Sequence, residues 1–152
     1  MENQIQAGVI LYVEDEASDL LLMQIAFRRL GLASRLQTAK NGQEAVDYLS
    51  ATGDNAGSGQ PPVPALVLLD INMPILSGFE VLAWVREQPR FSTLPIIMFS
   101  SSDRPADRQK AANLGANDYI SKPSSGADFV GVIKDLYERW PTLGGPLPTG
   151  QP

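Results

Sequence analysis

The 152-residue chain is 43% hydrophobic and 19% charged, with a formal net charge of −5. That length suits one domain with its own core, and the negative charge argues against non-specific nucleic-acid binding. The sequence holds neither cysteine nor histidine, which removes disulfides, thiolate or imidazole metal sites and imidazole bases. Chemistry is left to carboxylates, hydroxyls, lysine and backbone, and a carboxylate-only metal site points to Mg²⁺ or a similarly hard ion. The opening MENQIQAGVILYVED has no basic start and only a short apolar run. No signal peptide or membrane span is expected, and a cytoplasmic location follows.

Val9–Val13 is a short apolar run that ends in Glu14-Asp15-Glu16, and it predicts a buried strand with acids at its carboxyl end. Ser18 and Asp19 suit the first turn of a helix, where acids oppose the positive end of the dipole. That helix runs to about Leu30, and Gly31 stops it. Leu20, Met23, Phe27 and Leu30 recur at helical spacing and should face the core. Leu21, Leu22 and Ile25 are a surplus, readable as a wide core face or as a partner-helix docking surface. Arg35–Ala39 predicts a second strand, Lys40-Asn41-Gly42 a turn, and Gln43–Leu49 a short helix. Ser50–Pro64 is rich in Gly, Ser and Pro and reads as a long surface loop, mobile or partly extended.

Leu66–Leu69 is apolar at every position and runs into Asp70. Such a run suits a strand buried on both faces, as in a parallel sheet. Gly78–Gln88 predicts a helix that Pro89 ends. Leu94–Phe99 predicts a fourth strand leading into Ser100, Ala106–Leu114 a small helix closed by Gly115, and Asp118–Ser121 a fifth strand running into Lys122-Pro123. Ala127–Arg139 is a last amphipathic helix, and the Gly/Pro-rich tail Pro141–Pro152 is expected to fray. The repeating strand–helix unit predicts a doubly wound α/β fold with a parallel sheet and right-handed crossovers.

Polar groups end four of these strands: Glu14/Asp15, Asp70, Ser100 and Lys122. In a parallel sheet all carboxyl ends open on one edge. Strand order 2-1-3-4-5 would set the first and third strands side by side, with their acids in one crevice. Each group alone has an ordinary reading: Asp70 as a turn cap, Ser100 as a turn hydroxyl, Tyr119 as a half-buried aromatic, Lys122 as a solvated surface lysine. Clustered, the carboxylates repel unless a cation intervenes. A Mg²⁺ held by Asp15 and Asp70 would relieve that. An Asp there could attack phosphorus while the metal, Lys122 and Ser100 steady the phosphoryl oxygens.

The motifs VEDE, LLDINMP, FSS and YISKP, in order and at this spacing across Val9–Trp140, resemble the CheY-like receiver domain of two-component response regulators. The resemblance implies a flavodoxin-like (βα)5 fold over residues 9–140, with 141–152 a flexible tail and no output domain. It implies Asp70 as phosphoacceptor, with Mg²⁺ or Mn²⁺ held by Asp15, Asp70 and the Asn72 backbone carbonyl, and by Glu14 through water. It further implies Ser100 as switch hydroxyl, Tyr119 as switch aromatic, Lys122 as phosphate-binding lysine, and Pro123 as a cis-peptide candidate. The Glu-Asp acidic pair and a serine where threonine is common are mild departures. VEDEASD, the loop before the Asp70 strand and Arg90–Ile97 are similar to single-domain regulators paired with phytochrome-type histidine kinases.

The resemblance implies a phosphorelay switch rather than an enzyme, with self-phosphorylation from small donors and autodephosphorylation as its only chemistry. Its partners would be a sensor histidine kinase or histidine phosphotransfer protein, an unidentified downstream target and, as is common in the family, a second copy of itself; neither nucleic acid nor membrane is expected. Two alternatives stay open. One is a degenerate receiver that binds a partner without phosphorylation. The other is a Mg²⁺-dependent aspartyl-phosphate phosphatase, disfavoured because Asn72 stands where such enzymes need a second acid.

Overall fold

A computed structural model describes residues 8–53, 59–124 and 126–144. Its strands are β1 (Ile10–Val13), β2 (Leu36–Ala39), β3 (Leu66–Leu69), β4 (Ile96–Ser100) and β5 (Asp118–Ser121). They form one sheet in the order β2-β1-β3-β4-β5, every pair parallel. The helices are α1 (Ala17–Arg29), α2 (Gly42–Ala51), α3 (Gly78–Glu87), α4 (Pro105–Leu114) and α5 (Gly126–Arg139). The expected fold and strand order are those observed.

Alternation along the strands divides the core in two. Ile10, Tyr12, Leu66, Leu68, Ile97 and Phe99 face α1 and α5, while Leu11, Val13, Val67, Leu69, Ile96 and Met98 face α2, α3 and α4. Both faces are covered, so the central strands have no polar side, and that is why they read as continuous apolar runs. Phe99 stacks edge-on against Tyr12 at 5.8 Å and Phe129 at 5.5 Å, linking β4 to β1 and α5 through one aromatic row.

Local chemistry fixes the helix ends. Asn41 caps α2 by accepting from the Glu44 amide, and Ser77 forms a reciprocal capping box with Glu80 on α3. Gly115 ends α4 at φ +103°, a conformation that glycine adopts without strain. On α1 the apolar surplus divides: Leu20 and Leu22 pack on the core, whereas Leu21 is 53% exposed.

Two expectations about irregular segments change. The ends of the Ser50–Pro64 loop are tied down: Gly53 donates to the Pro61 carbonyl, and Arg90 donates to the carbonyls of Leu49 and Thr52. Residues 54–58 lie outside the described residues. The tail does not fray at its start. Pro141–Leu143 forms a 3₁₀ turn with Leu143 fully buried. Gly8 donates to the Leu143 carbonyl at 2.9 Å, and Tyr137 Oη donates to the Gly8 carbonyl at 3.0 Å. One buried leucine holds a segment whose Pro/Gly composition suggested fraying; the expected flexibility of 145–152 lies outside the described residues. Leu143→Ala should therefore cost about 2–4 kcal/mol, read as a lower urea midpoint at unchanged slope. An unchanged midpoint would show that the turn contributes nothing to the core.

Candidate functional site

The ladder hydrogen bonds continue one residue past the strands and fix the polar groups at the sheet edge. Glu14 donates its amide to the Ala39 carbonyl, Asp70 to that of Val13, and Lys122 to that of Ser100, at 2.9–3.1 Å. Val13 pairs with Leu69 in the register, so Glu14 and Asp70 leave adjacent strands side by side. Gly78 lies behind Asp70. A Cβ there would come within 2.0 Å of the Asp70 carbonyl oxygen, so the start of α3 can press against the Asp70 backbone only with glycine at this position.

Lys122 is the centre of the cluster. Its Nζ lies 2.6 Å from Glu14 Oε1, 2.9 Å from Asp19 Oδ2 and 3.6 Å from Asp70 Oδ2. Glu14 is fully buried. It also accepts from Tyr12 Oη at 2.9 Å and from the Glu16 amide at 3.2 Å, so both its oxygens are engaged. Asp70 is 5% exposed and accepts from the Ile71 amide at 2.9 Å. Asp15 is exposed, yet one oxygen from each of Glu14, Asp15 and Asp70 lies within 4.8 Å of the others.

Three carboxylates thus surround one ammonium, and Asp15 lies within 4.8 Å of two of them. Two like charges at that separation repel by about 3 kcal/mol in an effective dielectric of about 20, so Lys122 alone leaves the cluster under-neutralised. Burial, and then the charge of Glu14, push the Asp70 carboxyl up to about 7, despite the opposing pull of Lys122 and the Ile71 amide. Burial alone would lower the Lys122 ammonium, but hydrogen bonds to Glu14 and Asp19 and the charge of Asp70 outweigh it and hold it above its ordinary value. Burial and Glu14 raise the Tyr12 hydroxyl, which stays a donor. An all-oxygen donor set at this spacing suits a hard divalent ion. Because Glu14 is committed to Lys122 and Tyr12, the side chains left to ligate an ion directly are those of Asp15 and Asp70.

The other expected site residues stand on the same edge. Ser100 ends β4, fully buried, with its Oγ accepting from the Ser102 amide at 3.1 Å. Tyr119, half-buried, donates from Oη to the Ser102 carbonyl at 2.8 Å, and its ring lies 4.5 Å from the Arg108 guanidinium. Asn72 is two residues past Asp70 in an exposed loop. That loop carries Ile75 at φ +73°, with Leu76 donating to the Pro74 carbonyl, a γ-turn that is strained for a β-branched residue. One expectation fails: no peptide bond among the described residues is cis, so Lys122–Pro123 is trans. A trans bond is the default before proline by about 0.5–1 kcal/mol, and the Lys122 amide, already paired with Ser100, leads the chain straight out of β5. Sequence reasoning missed Asp19 as a site residue. Its only sequence signal was its place in the first turn after a strand end, on the edge where Lys122 also emerges.

The model of the response regulator receiver domain matches residues 10–134. Response regulator Rcp1 of Synechocystis is 29% identical over 87% of this chain and 88% of its own length, and its Mn²⁺-bound structure aligns with a TM-score of 0.71, covering 95% of this chain and 97% of that one. The response regulator RPA3017 in red light signaling of R. palustris is 32% identical, with a TM-score of 0.77, over 93% and 99%. The phosphorylated cyanobacterial phytochrome response regulator RcpA is 30% identical, with a TM-score of 0.75, over 88% and 94%. Other relatives carry the matching segment within longer chains, of which this chain covers as little as 14%. The chain belongs to the response regulator receiver family of two-component signalling. Among the described residues no helix is long and apolar enough to cross a membrane.

The Asp70 environment sets a pH dependence. An aspartate ionises near 3.8 when unfolded, against about 7 here. Between those values the native state holds a proton that the unfolded state has lost, so stability falls as pH rises through that window. In EDTA, Asp70→Asn should stabilise the protein by about 2–4 kcal/mol at pH 8 and by little near pH 4, measured by urea unfolding. An equal gap at both pH values would contradict this.

Proposed function

We propose that this receiver accepts a phosphoryl group on Asp70 from the phosphohistidine of a partner kinase or phosphotransfer protein, with Mg²⁺, and thereby switches a partner-binding surface. The observation that carries the reading is the buried Asp70 carboxylate, 3.6 Å from the partly buried Lys122 at the edge of a carboxylate cluster. The phosphorylated state of RcpA and the Mn²⁺-bound state of Rcp1 support it. The likeness to RcpA, a phytochrome response regulator, and to RPA3017, a regulator in red light signaling, favours a kinase of the phytochrome type as the donor.

In the transfer, an Asp70 oxygen forms a bond to phosphorus as the donor's phosphorus–nitrogen bond breaks, the electron pair leaving with the imidazole nitrogen. A bound divalent ion would neutralise charge on the phosphoryl oxygens. Lys122 supplies a second positive charge at the same oxygens. The Ser100 hydroxyl can donate to a third, since its Oγ serves the Ser102 amide only as an acceptor. Movement of Ser100 would disturb Ser102, whose carbonyl holds Tyr119. Tyr119 then carries the change to the face formed by α4, β5 and α5. The downstream partner is another molecule that reads this face. No third substrate is turned over: the chemistry is the chain's own phosphorylation and the hydrolysis of its acyl phosphate.

Incubation with acetyl phosphate and Mg²⁺ should add one phosphoryl group by intact-mass measurement, and Asp70→Asn should add none. Wild type that stays unlabelled by acetyl phosphate and by cognate kinase alike would contradict the proposal and favour a binding module that works without phosphate. Steady turnover of many phosphate monoesters would favour a phosphatase instead.

A further inference from the structure

We propose that Asp19 is a positioning residue for Lys122 that competes with the incoming phosphoryl group for its ammonium; the inference rests on the functional reading above. Asp19 lies in the first turn of α1 and Lys122 just past β5, 103 positions apart in sequence. An ammonium has three donors. Two of them are taken at hydrogen-bond distance, by Glu14 at 2.6 Å and by Asp19 at 2.9 Å. Asp70, at 3.6 Å, is beyond that distance. The lysine needed at the phosphoryl group is therefore drawn toward α1 and away from the nucleophile.

The two anchors are unequal. Glu14 is sealed from water, with Tyr12 and the Glu16 amide on its remaining acceptor sites. The Asp19 side chain is 24% exposed, and water screens and replaces that contact at lower cost. Of the two, Asp19 is the contact Lys122 gives up. A phosphoryl group brings close to two negative charges and three acceptor oxygens, more than one partly exposed carboxylate offers. Lys122 keeps Glu14 as a pivot and exchanges Asp19 for a phosphoryl oxygen. Asp19 thus acts against both donor binding and retention of the acyl phosphate, and it tunes the switch without touching phosphorus.

The chemistry being tuned balances with acetyl phosphate alone. The bond from phosphorus to the acetate oxygen breaks, a bond from phosphorus to an Asp70 oxygen forms, and acetate leaves with the electron pair. No oxidant or proton donor is required.

The test compares wild type, Asp19→Asn, Asp19→Glu and Glu16→Gln. Glu16→Gln removes an equal charge from an exposed side chain at the same rim. Initial labelling rates are measured against acetyl phosphate concentration with Mg²⁺, and the Lys122 ammonium is followed by NMR in ¹⁵N-lysine-labelled protein. Asp19→Asn should lower half-saturating acetyl phosphate by about 1.5-fold to fivefold, the range for one partly exposed charge pair, with a smaller change in maximal rate. It should also shift the Lys122 ammonium signal. Asp19→Glu should restore wild-type behaviour, and Glu16→Gln should change neither readout. Identical labelling in wild type and Asp19→Asn, or an equal effect from Glu16→Gln, would overturn the proposal while leaving the phosphoacceptor reading intact. Wild type that takes no phosphoryl group would refute that reading, and this inference with it.

Discussion

Three carboxylates gathered at the carboxyl edge of a parallel sheet, two of them buried, with one lysine beside them, are the constraint on which the site depends. Glu14, Asp15 and Asp70 offer oxygens within 4.8 Å of one another, and Lys122 pairs with Glu14 and Asp70 from within the cluster. A group selected for stability alone would not be placed so, because burying like charges together is unfavourable. The fold carries the cost in a core sealed on both faces of the sheet. What it gains is an all-oxygen site short of positive charge, which suits a hard divalent cation that offsets part of the imbalance.

The sheet makes this placement possible. Parallel strands deliver their carboxyl ends to one edge, and hydrogen bonds running one residue beyond the strands lock Glu14, Asp70 and Lys122 against their neighbours. Gly78 lets α3 close behind Asp70 without a clash. The Ser102 carbonyl then joins the site to Tyr119, and Arg108, Asp103 and Ser121 form a polar cluster beside that ring. A short chain of hydrogen bonds thus runs from Ser100 at the end of β4, through Ser102 in the loop after it, to Tyr119 on β5.

Much of this was legible in the chain because the central strands are covered twice. Leu66–Leu69 runs into Asp70 without a polar break, and the same logic places Glu14, Ser100 and Lys122 at strand ends. What was not legible is the pairing of side chains across long separations. Asp19 reads as an ordinary first-turn acid, since nothing local reveals that Lys122 will stand beside it. Leu143 is one apolar residue in a Pro/Gly segment, and its packing with the α1 and α5 side of the core, held by Gly8 and Tyr137, depends on residues far away in sequence. The trans bond before Pro123 escaped for a similar reason: the family resemblance pointed one way, and the geometry at the end of β5 went the other. The γ-turn at Ile75 carried no glycine or asparagine to announce a positive φ.

The most direct test of the central claim is a calorimetric titration of Mg²⁺ into wild type and Asp15→Asn at pH 8, where Asp70 is ionised. If the carboxylate cluster is the cation site, wild type binds one ion, and Asp15→Asn, which keeps Lys122 and its partners in place, loses most of that affinity. Equal binding by the two proteins, or none by wild type, would contradict the account.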